Sequence, residues 1–185
     1  HGHCGYGLEQ RHQERRNRKA RSVAGGDAAR TLSRPALNKR SSKMARVDFY
    51  VLERVDERAR HTLACKLAEK AYRLRNTVYI HAKSRDDAVH LDALLWTFRD
   101  GSFVPHGLSG SGDEAQASPV MIGHEQEGIE SRDLLINLSD EIPPFAESFP
   151  RVAELVTSDE NCRLLSRRRF AEYRDKGHSI QTHKL

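Results

Sequence analysis

"VDFYVLERVDERARHTLACKLAEKAYRLRNTVYIHA", residues 47–82, decides the fold. Its first six residues are aromatic, β-branched or aliphatic around a single carboxylate, which predicts a buried strand. Over 58–74, Leu63, Ala64, Leu67, Ala71 and Leu74 recur every three or four residues, the spacing of an amphipathic helix. Residues 77–82 repeat the strand pattern. Residues 84–98 repeat the helical one, opened by Ser84 as N-cap with Asp87 at the capping-box position. A strand–helix–strand–helix order predicts a parallel sheet with right-handed crossovers.

Working outward from that unit, the pattern loosens and then returns. Residues 101–118 are rich in Gly and Ser and read as a long loop. Residues 119–123 read as a short strand. Residues 133–138 are apolar on both sides, so they read as a central strand. Residues 139–156 read as a loop, a short helix and a last strand around 152–156. The closing helix is expected over 159–176, capped by Ser158, with Asp159 and Glu160 in its first turn and Gly177 at its stop. The sum is an α/β fold in one domain, residues 44–185. Its central sheet of about five strands is mostly parallel and flanked by helices.

Charge divides the chain. The whole carries +5. Residues 1–43 hold 11 Lys/Arg against 3 Asp/Glu, a net of +8, and residues 44–185 hold 20 against 23, a net of −3. A slightly acidic domain lacks the global field that draws a protein to a phosphate backbone, so any basic patch in it must be local. Residues 1–43 show almost no apolar periodicity and read as a disordered basic extension. Met44 follows them directly, so native translation is expected to start there and the extension to be non-native. Direct nucleic-acid binding by that extension is the competing reading.

Three widely spaced cysteines, with no C-x-x-C pair, imply neither a metal cluster nor a disulfide framework. No apolar run reaches the ~18–20 residues of a membrane span. No metal and no cofactor is expected.

An open α/β sheet often holds a nucleotide, but that site needs glycines at a strand-to-helix turn. The first strand here runs into "LERVDERAR", without a glycine. The one Gly cluster, Gly107, Gly110 and Gly112, follows "FVPH" and precedes polar residues that read as loop. The fold is therefore nucleotide-binding-like but lacks a phosphate loop. A small-molecule-binding α/β enzyme with a degenerate site around His106 and residues 107–112 stays as the alternative. His81 and His106 fall at strand ends, where catalytic groups can sit but structural histidines are commoner, Cys65 reads as a small core residue, and Arg132-Asp133 reads as a structural ion pair, with a catalytic pair as the competing reading. No residue is singled out as catalytic.

The closing helix is the other informative segment. On a 100° wheel, Cys162, Leu165 and Tyr173 share one side with Arg169 between them, which reads as the core face. Arg163, Arg167, Phe170 and Arg174 share a stripe elsewhere. Three guanidinium groups around one ring suit a short peptide with carboxylates and one apolar anchor. A solvated helix face is the competing reading.

The segments "FYVL" (49–52), "LDALLW" (91–96), "FVPHGLSGSG" (103–112), "RDLLINL" (132–138) and "RRFAEYRDKGHSIQT" (168–182) resemble the chi subunit of bacterial DNA polymerase III holoenzyme. Their order and spacing follow that family along nearly all of 44–185. The resemblance implies a non-catalytic accessory of the clamp loader, part of a DNA-directed polymerase complex in the bacterial cytoplasm. It implies that the protein holds the acidic C-terminal tail of single-stranded-DNA-binding protein, which ends in Pro-Phe, at Val156, Arg163, Arg167, Phe170 and Arg174. A lysine that the family carries beside the aromatic is Ala171 here. It further implies that Trp96 and Phe103 bind the psi subunit, itself joined to the clamp loader. "DEIPPF" (140–145) looks like such a tail but is internal.

Overall fold

The computed structural model describes residues 44–126 and 128–185. The expectations for residues 1–43 lie outside the described residues. The elements run β1 (Arg46–Val51), α1 (Glu57–Arg73), β2 (Val78–His81), α2 (Arg85–Thr97), β3 (His106–Leu108), α3 (Asp113–Gln116), β4 (Val120–Gly123), β5 (Leu134–Asn137), a 3-10 turn (Ala146–Ser148), β6 (Arg151–Val156), α4 (Glu160–Asp175) and β7 (Ser179–Lys184). Among the described residues seven strands form one sheet in the order β3-β4-β2-β5-β6-β1-β7. Every pairing in it is parallel.

Alternation along the strands sorts the side chains onto two faces. Val78, Ile80, Ile122, Ile136 and Leu155 meet Ala64, Cys65, Ala68, Leu91 and Leu95 from α1 and α2. Small residues along α1 let that helix approach the sheet closely. Cys65 is one of them, and burial pushes its thiol up to about 12, so it is an inert core residue. Val47, Phe49, Tyr79, Leu135, Val152 and Val156 point the other way, where Tyr173 of α4 and Phe149 cover them. Full burial of one such aliphatic or aromatic side chain contributes about 1.5–3 kcal/mol.

The α/β class and the parallel sheet match the sequence reading; five strands become seven. β3 is three residues long with a glycine at its centre, too short for period-two alternation to register. Gly107 is required there because a Cβ would stand 2.8 Å from the Cα and Cβ of Ala115. The polar stretch after the glycines is not only loop, since α3 forms one helical turn in it. β7 reads "SIQTHK" and is largely exposed, so no apolar pattern announces it. It is an edge strand held by its ladder to β1 and by polar ties, Arg46 Nη2 to Gln181 Oε1 at 2.7 Å and His183 Nε2 to Asp48 Oδ1 at 3.1 Å.

Two local expectations also change. Asp159, not Ser158, caps α4, its carboxylate accepting from Cys162 N at 2.9 Å. Ser158 is instead spent on a neighbouring loop, its hydroxyl donating to Glu53 O and its amide to Arg54 O. Arg132 and Asp133 are not paired with each other. Arg132 donates to the carbonyls of Ser118 and Gln116, and Asp133 accepts from Thr77 N and Oγ1.

Candidate functional site

α4 leaves the C-terminal end of β6 and returns into β7. Gly177 ends it at φ +81, a conformation that favours glycine. Its inner face is Ser166, Arg169 and Tyr173, all buried, with Cys162 and Leu165 half-buried. Arg169 and Tyr173 converge on Glu154, which is 0% exposed in the middle of β6. The carboxylate accepts from Arg169 Nε at 3.0 Å, Tyr173 Oη at 2.9 Å and Asn137 Nδ2 at 2.9 Å. Arg169 Nη1 donates to Asp140 O at 2.7 Å. Burial, then the Glu154 charge, pushes the Tyr173 hydroxyl far up, so it stays a donor. A buried charge is tolerated only when paired and hydrogen-bonded in this way. The network ties α4 to β5, β6 and the segment after β5, and so fixes the helix's rotation about its own axis.

That rotation sends Arg163, Arg167 and Arg174 into solvent. Arg163 and Arg167 make no ion pair among the described residues, while Arg174 bonds Asp175 Oδ1 at 3.1 and 3.0 Å. Phe170 is 37% exposed and lies on Phe49 with ring centroids 5.3 Å apart. Val156 is 3% exposed at the end of β6, beside Val51 of β1. The wheel thus sorted the stripe correctly from the core. Val156, however, is a wall of the core, and Phe170 is the apolar group that solvent reaches. Glu154 and Asn137 were not singled out. The available signal was a lone carboxylate among apolar neighbours in "RVAELV".

A second surface lies on α2 and the segment after it. Trp96 is 54% exposed and Phe103 64% exposed, with rings 5.6 Å apart. Trp96 also packs on His106 at 4.8 Å. Val89, two helical turns before Trp96, is exposed as well. Polar ties hold His106 in place, its ring nitrogens 2.6 Å from Val104 O and 3.1 Å from Asp92 O.

His81 is buried between Tyr79 and Phe145. Neither ring nitrogen has a hydrogen-bond partner among the described residues. Burial holds its imidazole down at about 4. Among the described residues no group of three or more His, Cys, Asp or Glu could hold a metal ion. No helix among them is long and apolar enough to cross a membrane.

The family described as DNA polymerase III chi subunit, HolC, matches residues 44–181. The chain belongs to the DNA polymerase III chi subunit family. Membership gives it an accessory role in DNA replication. Both surfaces lie inside the matched span. The DNA polymerase III subunit chi of Pseudomonas aeruginosa is 44% identical over 142 residues, 77% of this chain and 98% of that protein. That of Haemophilus influenzae is 33% identical over 72% of this chain and 93% of that protein. That of Escherichia coli is 34% identical over 75% and 97%. Among solved structures, the C-terminal domain of the DEAD-box protein Dbp5 aligns with a TM-score of 0.49 at 13% identity, over 77% of this chain and 92% of that one.

Proposed function

We propose that this chi-family chain is a non-catalytic tether in the bacterial replisome. One surface holds the acidic C-terminal tail of single-stranded-DNA-binding protein. The other joins the clamp loader through psi. The functional unit in this reading is residues 44–185, and contact with DNA is indirect. The observation that carries it is the α4 stripe. Two unpaired guanidinium groups, Arg163 and Arg167, stand on the same helix flank as Phe170, a ring left one-third open over Phe49.

Carboxylates of the tail pair with Arg163, Arg167 and Arg174, and the terminal ring of the tail packs against Phe170. Val156 supports that seat from the end of β6. Trp96 and Phe103 supply an exposed aromatic patch of the sort that marks a protein partner. One short tail binds weakly. Many tails on a coated strand raise the effective concentration of the clamp loader without any tighter contact.

The enzyme alternative is disfavoured by charge. Helices that follow parallel strands start at the edge of the sheet where phosphates bind, with their amides free. Here α1 starts with Asp56 and Glu57, α2 with Ser84, Asp86 and Asp87, and α4 with Asp159 and Glu160. Each cap side chain already accepts from an amide of its own first turn, and the added carboxylates repel an anion.

The test is a calorimetric titration of the chain with an acidic peptide ending in Pro-Phe, beside the same peptide without its last Phe. Micromolar binding is expected, weakened at least tenfold without the ring and about tenfold by Arg167→Ala. A constant unmoved by Arg167→Ala removes α4 from the assignment. Saturable nucleotide binding revives the enzyme.

A further inference from the structure

Between α1 and the C-terminal ends of β1 and β7 lies a groove of about 680 Å³ that neither surface above uses. Its apolar lining is aliphatic: buried Leu52, half-buried Leu63 and Ala59, and exposed Leu185. Its rim carries Arg54, Arg58 and Lys66, all exposed. The one carboxylate side chain in the lining, Asp56, is already committed. It accepts from Ala59 N as the cap of α1 and from Arg54 Nε at 3.2 Å. Arg58 and Lys66 make no ion pair among the described residues. They flank Thr62 at four-residue steps, so one side of α1 presents both cations over the groove.

Residues 44–185 are acidic overall, at net −3. Cations gathered around one groove therefore run against the prevailing sign. The volume falls in the range of formed ligand sites, roughly 300–1,000 Å³.

The lining discriminates among occupants. It contains no aromatic residue, whereas single-stranded nucleic acid is held by stacking platforms. The adjacent helix start offers no open phosphate seat, because the Asp56 side chain already accepts from Ala59 N, whereas peptide carboxylates can pair with the rim guanidinium and ammonium groups instead. An aliphatic lining under a cationic rim fits carboxylates on either side of one aliphatic side chain.

We propose that this groove is a second docking seat, for an acidic segment of a partner protein that inserts a single aliphatic side chain. It shares no residue with the α4 stripe or the Trp96 patch. The groove adjoins α4 all the same, because Ser158 bonds Glu53 O and Arg54 O across the two loops. A partner seated on α4 therefore has a second basic seat close at hand, though this seat stands whether or not the α4 reading does.

The test follows amide resonances of the 15N-labelled full chain during titration with a six-residue peptide of aspartates and glutamate around one leucine. Two control peptides replace the leucine by serine, or the acids by lysines. Saturable shifts are expected at residues 54–66 and 185, at a submillimolar constant, about fivefold weaker without the leucine and absent with lysines. The double variant Arg58→Glu, Lys66→Glu is expected to weaken binding more than tenfold with its spectral dispersion intact, and Arg167→Glu to leave it unchanged. The proposal is overturned by shifts that fall on α4 instead, by the absence of saturation, or by a double variant that binds like the parent. Tighter saturation of the same residues by ATP or by dodecanoate overturns it too, and makes the groove a small-molecule site.

Discussion

α2 and α4 pack on opposite faces of the same sheet, and each leaves a candidate binding surface in solvent, but they do so on different physical terms. α4 exposes cations, which water already solvates well; a charged helix face needs no partner to be stable. α2 and the segment after it expose Trp96 and Phe103 in ring contact, with Val89 exposed further up the helix, and paired exposed aromatics are an apolar surface that a folded protein rarely leaves open without use. The α2 surface therefore argues for a partner by its chemistry alone. The α4 surface argues for one only through Phe170, the ring that breaks the charge pattern. What makes α4 informative lies beneath it, in the Glu154 network that dictates which way the arginines point.

Removing that support is the largest expected effect. Arg169→Met strands Glu154 without its cation in the core, and breaking such a pair costs about 3–5 kcal/mol. Chemical denaturation is expected to show the loss directly. If stability hardly moves, the rotation of α4 is set by apolar packing and the contrast between the helices weakens.

Trp96→Ala tests the other side. It is expected to weaken psi binding by at least about 2 kcal/mol, roughly thirtyfold, as truncation of a central aromatic does. Thermal stability should change little, because over half of the indole is already in water. A large fall in melting temperature with psi binding intact would make Trp96 a packing residue and dissolve the comparison.

Acid separates folding from both surfaces. His81 is held at about 4 by burial, below the ~6.5 of an unfolded histidine. The unfolded chain takes the proton first. This contribution is therefore complete above pH 6.5 and is lost as pH falls towards 4, on the order of 2 kcal/mol. His81→Leu is expected to flatten that limb of a pH–stability profile. A limb unchanged in the variant would move the titrating group elsewhere, for instance to His61, which burial also holds below its ordinary value.

The smallest effect sharpens the α4 side. Ala171, half-buried beside Phe170, stands where the family resemblance places a lysine. Ala171→Lys is expected to tighten tail-peptide binding by about two- to fivefold at low salt, with most of the gain lost at 0.5 M. An equal gain at both salts would point to packing by the lysine stem rather than charge.

Much of the fold was legible because its signals are local. β1, α1, β2 and α2 follow from runs, periodicity and caps within a few residues of one another. β3 and β7 were not, since a three-residue strand and a polar edge strand carry no alternation to read. The stripe on α4 was legible for the same local reason, and the groove beside α1 was not, because it forms only where Leu185 is brought against residues 52–66.

By itself, then, the sequence determined the α/β class, the parallel sheet and the outward arginines of α4, all consequences of backbone geometry that repeats every two or 3.6 residues. Only the tertiary structure decided that Glu154 lies under Arg169 and Tyr173, that Phe103 lies against Trp96, and that Val156 is core rather than open seat. Those outcomes depend on strand order and helix rotation, which arise when distant segments compete to bury surface and pair charges, and no short window of residues contains that competition.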